Sequence, residues 1–158
     1  MKTTSILFLM LILLIACKKQ SPPEGSYVGT FSGSYSKNGE YINRDRILYM
    51  RITSSSANEL VFKHNERGDP AYESILELNG KTIHGLILTW FSYSNTSGEG
   101  LVGHTDKYID IEGRWEKLGG EYVITGKFNS IYHFVSTAAN IDEEYPVEGS
   151  FIIKPNNE

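Results

Sequence analysis

From residue 25 onward, apolar and polar side chains alternate in short segments that are separated by turn-forming residues. A period of two is typical of β-strands that bury one face and expose the other. The alternation predicts eight strands, over residues 25–35, 46–54, 59–64, 72–78, 81–93, 107–117, 120–134 and 145–154. Because most links between consecutive strands are short, we expect an antiparallel, up-and-down order.

Glycine is followed two residues later by an aromatic residue eight times, from Gly25/Tyr27 to Gly149/Phe151, whereas 15 glycines and 12% aromatics would give about two such pairs by chance. Residues i and i+2 share a strand face, so a ring can lie over a neighbouring glycine, and glycines let a sheet coil. Eight strands suffice to close a barrel. We therefore predict an all-β fold, an eight-stranded antiparallel up-and-down barrel, with a two-sheet β-sandwich as the alternative.

Two turns have recognisable sequence signatures. Asn79-Gly80 lies between two apolar segments and predicts a type I′ hairpin turn, because both residues tolerate a positive φ. Asp69-Pro70 also matches the start of a helix, so a short helix over residues 71–78 is an alternative to the strand there.

The first 16 residues differ from the rest of the chain. Lys2 precedes an apolar run over residues 6–16, and these 11 residues are too few to span a bilayer, which takes about 20. The Leu14-Ile15-Ala16-Cys17 stretch resembles the lipobox of bacterial lipoprotein signal peptides, which implies cleavage before Cys17 and attachment of lipid to it. We therefore expect a signal peptide over 1–16, a lipidated cysteine and flexible tether over 17–24, and one barrel domain over 25–158.

Taken together, these features resemble the small bacterial lipoproteins that carry a lipocalin-like β-barrel domain. The resemblance rests on the Cys17 lipobox, the opening strand from Gly25 to Phe31, the Asn79-Gly80 hairpin and the closing Gly149-Ser150-Phe151. It implies a protein of the bacterial cell envelope, anchored by acyl chains such as palmitate. Since neither an aspartate nor an acidic run follows Cys17, known sorting rules imply the outer membrane, facing the periplasm.

Composition narrows the function classes. A formal net charge of -4, from 15 Lys and Arg against 19 Asp and Glu, gives no reason to expect nucleic acid as a partner. The single cysteine excludes an internal disulfide and a cysteine-rich zinc site, and the four histidines lack the spacing of a metal pair. No nucleophile, zinc or phosphate-loop motif is present in the sequence. We therefore predict a non-enzymatic protein without a metal or cofactor.

Two binding sites remain as hypotheses. Aromatic residues on the inner strand faces are expected to line a site for a small apolar or amphipathic ligand, although they could also fill the interior: Tyr27, Phe31, Trp115, Tyr122 and Phe128. The strand over 86–93 is apolar on both faces. One face is expected to fill the barrel while a loop or the N-terminal tether covers the other; alternatively, the outer face contacts another envelope protein, such as an accessory subunit or inhibitor. In that alternative Trp90, Phe91 and Tyr93 contact the partner, beside the glycine-rich loop 94–106.

Overall fold

The structure is a computed structural model that describes residues 21–64, 72–88, 92–94, 101–105, 108–136 and 140–157. All regular secondary structure in these ranges is β-strand. The strands are β1 (Gly25–Lys37), β2 (Glu40–Ser55), β3 (Glu59–His64), β4 (Tyr72–Asn79), β5 (Thr82–Leu88), β6 (Ser92–Ser94), β7 (Leu101–Thr105), β8 (Tyr108–Leu118), β9 (Glu121–Ser136) and β10 (Ile141–Pro155).

Eight of these strands form a closed antiparallel barrel in the order β1-β2-β3-β4-β5-β8-β9-β10. The sheet closes because β10 pairs with β9 on one edge and with β1 on the other. Closure removes the free edges that a two-sheet sandwich would keep, so the predicted barrel is confirmed and the sandwich alternative is wrong.

The remaining two strands extend one side of the barrel. The first half of β9 pairs with β8, and its second half, from Tyr132 to Ser136, pairs with β7. The short strand β6 pairs with β7. The predicted strand over 81–93 is therefore divided into β5 and β6, and the predicted loop 94–106 contains β7. The reason is that the second half of β9 extends past β8, so its backbone N–H and C=O groups need hydrogen-bond partners, which β7 supplies.

The type I′ turn lies at a different Asn-Gly pair from the one predicted. Asn38 and Gly39 both have positive φ, 54° and 82°, and join β1 to β2 through the Lys37–Glu40 pair. Between β4 and β5 the central residues are Gly80 and Lys81, and Gly80 alone has a positive φ there, 64°, as in a type II′ turn. This register pairs Leu78 with Ile83 rather than with Lys81, which keeps two apolar side chains together.

Other differences lie at the strand ends. The β1–β2 hairpin is longer than predicted, because β2 begins at residue 40 rather than 46, and β10 begins at 141 rather than 145. Residues 72–79 form a strand, so the helix alternative is wrong for this segment, while residues 65–71 lie outside the described ranges.

All eight barrel strands contribute side chains to one packed core. Rings and glycines alternate across the strands: Gly149 is paired with Phe128, and Gly126 with Phe151. A Cβ on Gly149 would lie 2.3 Å from the Phe128 ring, and one on Gly126 would lie 2.7 Å from the Phe151 ring. The predicted contact between a glycine and the ring two residues later is observed at Gly29, where a Cβ would lie 2.9 Å from the Phe31 ring, whereas Gly126 and Gly149 meet rings of neighbouring strands.

Candidate functional site

The two ends of the barrel differ in their connections. At one end, which we call the short-turn end, the links are residues 56–58, 80–81 and 119–120. At the opposite end, which we call the long-loop end, β3 is joined to β4 by residues 65–71, and β5 is joined to β8 by 89–107, which include β6 and β7. A site that admits a ligand into a barrel lies at such an end.

Three of the five predicted ligand-binding residues lie at the short-turn end. Tyr27 is 2% exposed and its hydroxyl donates to the carbonyl oxygen of Pro23 at 2.9 Å. Trp115 is 4% exposed and its indole Nε1 donates to the carbonyl oxygen of Gly80 at 3.1 Å. Tyr122 is half-buried, with its ring centroid 5.7 Å from that of Trp115. These hydrogen bonds fix the rings in place and close this end.

The environment of Tyr27 suits a structural role. Burial, with a smaller contribution from Tyr122, raises the pKa of Tyr27 to about 12. The phenol therefore stays neutral and keeps its donor hydrogen for Pro23 throughout the physiological range.

The other two predicted residues lie in the middle of the barrel. Phe31 and Phe128 are buried, with ring centroids 5.9 Å apart, and Phe151 stacks on Phe31 at 5.5 Å. The structure thus brings together two pairs among the five predicted residues, Trp115 with Tyr122 and Phe31 with Phe128. Phe31, Phe128 and Trp115 belong to the packed core, and the half-buried Tyr122 packs against it.

A second aromatic group lies at the long-loop end and was not predicted as a site. Tyr35 stacks on Tyr132 with centroids 4.7 Å apart and lies 5.4 Å from Tyr145. Phe134 and Tyr145 are only partly buried. Each of these residues continues the inward parity of its strand, and the Gly33/Tyr35 spacing marked the first of them, but their association across β1, β9 and β10 depends on the barrel register.

One cation and one carboxylate lie among these rings. Lys37 Nζ is 3.1 Å from a carboxylate oxygen of Glu143 and 3.8 Å from the centroid of the Phe134 ring. It also lies 5.4 Å from the Tyr145 ring, and the Tyr145 hydroxyl donates to Glu143. The long-loop end therefore offers partly exposed aromatic surface together with both signs of charge.

The hydrogen bonds of this group shift its titration. Burial alone would lower the pKa of Lys37, but hydrogen bonds with Glu143 and Tyr145 outweigh it and raise that pKa above its usual value. Hydrogen bonds from Tyr145 and then Lys37 lower the pKa of Glu143, while the bond to Glu143 raises the pKa of Tyr145. All three groups thus hold their usual neutral-pH protonation states.

The hydroxyl group of Ser130 on the inner surface has no hydrogen-bond partner in the part of the chain that the structure describes. Ser130 follows Phe128 on the inward face of β9, and its Oγ is buried with no hydrogen-bond partner among the described residues. A buried polar atom without a partner costs about 1–3 kcal/mol. It lies between Phe128 and Tyr132 in the strand, below the ring stack of the long-loop end.

The described part of the predicted partner strand exposes one apolar side chain, that of Leu86. On β5, Ile83 and Ile87 are buried, whereas Leu86 is 53% exposed. Ile75 on β4 and Tyr108 on β8 are about as exposed, at 53% and 51%, and they lie on the strands that flank β5. Of the predicted strand over 86–93, the structure thus shows one apolar side chain that points outward, Leu86, and one that points inward, Ile87.

Of the four remaining predicted site residues, one lies in the part of the chain that the structure describes. Tyr93 lies on β6, opposite Gly103 of β7. Trp90, Phe91 and Cys17 lie outside the described residues. Within the described ranges no group of three or more His, Cys, Asp or Glu could hold a metal, and no helix there is long and apolar enough to cross a membrane.

No family model matches the chain, and no curated protein is significantly similar to it.

Proposed function

We propose that the protein is a lipid-anchored, non-enzymatic binding module of the bacterial envelope, and that its barrel takes a small apolar or amphipathic ligand at the long-loop end. The observation that supports this site most strongly is a difference in hydrogen bonding between the two ends. Tyr27 and Trp115 at the short-turn end donate to backbone carbonyl oxygens, whereas the partly buried Phe134 and Tyr145 lie beside Lys37 at the long-loop end.

The long-loop end matches the chemistry of an amphipathic molecule. Rings such as Phe134 and Tyr145 offer apolar surface, which gains about 25 cal/mol for each Å² that a ligand removes from water. The ammonium group of Lys37 can bind an anionic head group. The head group would then replace the Glu143 carboxylate as the partner of Lys37. The site thus supplies one contact for each half of such a ligand.

The Ser130 hydroxyl group adds a polar contact deeper in the barrel. Because it is buried and has no partner among the described residues, a ligand atom that accepts or donates a hydrogen bond there would remove an existing cost. This favours a ligand with a polar group inside the barrel over a plain hydrocarbon.

The anchor and the location follow from the sequence. The apolar run before Cys17 and the lipobox resemblance support lipidation of that residue. Several acyl chains, each contributing about 0.8 kcal/mol per buried CH₂, would hold the protein stably on a membrane. The outer membrane, with the barrel in the periplasm, remains the proposed location.

The ligand site is tested with a soluble form that begins at residue 18. The protein is incubated with a total lipid extract of a bacterial envelope, and retained molecules are identified by mass spectrometry. Parinaric acid, a fluorescent fatty acid, then serves as the probe for affinity. Retention of an amphipathic lipid supports the proposal, and retention of nothing contradicts it.

A matched pair of lysine variants locates the site. Lys37→Gln should weaken parinaric acid binding about tenfold, since a charge-assisted contact is lost. Lys81→Gln is the control, because Lys81 also lies over an aromatic ring, 5.9 Å from the Trp115 centroid, but at the short-turn end. Equal effects of the two substitutions would contradict a site at the long-loop end.

A second candidate function is interaction with another envelope protein through the strand over 86–93 and the loop 94–106. The half-exposed Ile75, Leu86 and Tyr108 on the outer barrel surface favour it. Pull-downs from envelope extracts with wild type, Leu86→Ser and Phe91→Ser test it. Loss of one partner with both variants supports the interaction, and identical partner profiles contradict it.

A further inference from the structure

The chain enters the barrel at the short-turn end and is held there. The Ser55 hydroxyl, at the end of β2, donates to the carbonyl oxygen of Pro22 at 2.5 Å and lies 2.9 Å from the Ser21 hydroxyl. Tyr27 donates to the next carbonyl oxygen, that of Pro23. Pro22 itself is buried. The part of the tether nearest the barrel is therefore attached to the short-turn end and does not swing freely around it.

This attachment limits how far the barrel can lie from Cys17. Ser21 lies four positions after Cys17, and a fully extended chain spans at most about 3.3–3.6 Å for each position. The cysteine is therefore within about 14 Å of Ser21. The barrel is much taller than this, about 30 Å, given 13 or more residues in β1 and the usual strand tilt.

We propose that the short-turn end faces the surface of the membrane and that the long-loop end points away from it. This inference rests on the proposed lipid anchor at Cys17 and adds an orientation to it. The occupant of the short-turn surface is the lipid bilayer itself.

The exposed residues of the short-turn end suit a lipid surface. Leu118, at the β8–β9 turn, is 52% exposed and can enter the interfacial region. Lys81 and Lys117 lie beside the rings of Trp115 and Tyr122, at 5.9 Å and 5.4 Å. Lysines near phosphates and aromatic rings near the interface are both common at membrane surfaces.

Carboxylates also lie at this end. Glu116 accepts from Arg114 at 3.0 Å, and Glu121 accepts from Asn157 at 3.0 Å, whereas Glu59 is exposed. The ammonium groups of Lys81 and Lys117 lie beside the rings, where they can meet the phosphates. The proposed orientation also leaves the long-loop end open to the periplasm, where the ligand would arrive.

The orientation can be measured with two labels. Lipidation blocks the thiol of Cys17, the only native cysteine, so an introduced cysteine provides a unique thiol. Glu59→Cys and Glu40→Cys form a matched pair, since both replace an exposed glutamate at the first residue of a strand, at the short-turn and long-loop ends respectively. The full chain is expressed in a bacterium, its lipid is verified by intact mass, and the labelled protein is placed in phosphatidylethanolamine/phosphatidylglycerol vesicles that carry a headgroup acceptor dye.

We expect energy transfer to the acceptor to be several-fold more efficient from position 59 than from position 40. Ser55→Ala, which removes the hydroxyl that holds Ser21 and Pro22, should reduce that difference. Lipid on Cys17 with equal transfer from both positions, or with stronger transfer from position 40, would overturn the orientation alone. Absence of lipid on Cys17 would overturn the proposed anchor and the orientation with it.

Discussion

The two ends of this barrel use the same kinds of side chain for different purposes. At the short-turn end, Tyr27 and Trp115 are buried and donate to backbone carbonyl oxygens, so their polar atoms are satisfied within the fold. At the long-loop end, Tyr145 donates to Glu143, and the rings around Lys37 keep part of their surface exposed. Aromatic composition alone therefore does not identify a binding site, since the partners of the polar atoms distinguish a structural ring from an available one.

Truncation of one ring at each end gives the largest expected difference. Trp115→Ala should lower the free energy of unfolding by about 3–5 kcal/mol, because it removes a buried indole and its hydrogen bond. Phe134→Ala should cost about 1 kcal/mol, because that ring is only partly buried. Urea denaturation measures both, and equal losses would contradict the division into a structural end and an available end.

Substitutions in the layer of glycines and phenylalanines between the two ends should lower the free energy of unfolding nearly as much. A Cβ at Gly126 would lie 2.3 Å from the carbonyl oxygen of Glu112 and 2.6 Å from the Cα of Gly113, so Gly126→Ala forces two strands apart. We expect a loss of about 2–3 kcal/mol. Gly29→Ala is the control, because its closest contacts are the tips of the Phe31 and Met50 side chains, which can move. A smaller loss for Gly126→Ala than for Gly29→Ala in urea denaturation would contradict the proposed close packing.

The charged group at the long-loop end should give a pH-dependent contribution to stability. The pKa of Glu143 is lowered by hydrogen bonds from Tyr145 and Lys37, so the contact is fully present at neutral pH and is lost as pH falls through that lowered pKa. For Lys37, burial lowers the pKa, but hydrogen bonds with Glu143 and Tyr145 raise it by more. The stability contributed by this contact is therefore lost at high pH only as the pH rises through the raised pKa of Lys37.

Comparison with Glu143→Gln measures this contribution. The difference in Tm between wild type and variant should stay constant from about pH 6 to 9, begin to shrink near the ordinary glutamate pKa of about 4.3, and shrink further as the pH falls through the lowered pKa. A difference that does not shrink in acid would show that the carboxylate charge is not its source. Arg114→Gln is the control, because a surface ion pair contributes little and its loss should change Tm only slightly.

The smallest expected effect concerns Ser130. Without a ligand, Ser130→Ala should leave stability unchanged or raise it by up to about 1 kcal/mol, because a buried hydroxyl group without a partner is removed. The same substitution should weaken the retention of an amphipathic lipid. A clear loss of stability in the ligand-free protein would instead show that the hydroxyl group bonds within the fold.

Much of the fold was predictable because strand alternation and glycine spacing are local signals. Leu48, Met50 and Ile52 are buried, and Tyr49 is 66% exposed, as their parity predicted. The predicted hairpin at Asn79-Gly80 is present, but its central turn residues are Gly80 and Lys81, because the pairing of Leu78 with Ile83 selects the register. Strand β7 was missed because its partner, the second half of β9, is distant in sequence.

The candidate site was less predictable than the fold. The alternation of residues along each strand correctly assigned Tyr27, Phe31 and Trp115 to the interior. It cannot show which interior rings donate a hydrogen bond to a backbone carbonyl oxygen. The group around Lys37 combines residues from β1, β9 and β10, and these meet only because β10 pairs with both neighbours. Long-range register, rather than local pattern, places the aromatic cluster at the long-loop end.

The central claim is that ligand enters at the long-loop end, and amide chemical shifts test it most directly. The soluble form, labelled with ¹⁵N, is titrated with the lipid retained from the envelope extract, or with parinaric acid. The account predicts shifts at residues 35–37, 132–134 and 143–145, with residues 27, 115 and 122 unchanged. Shifts confined to those last three residues, or no shifts with either molecule, would contradict it.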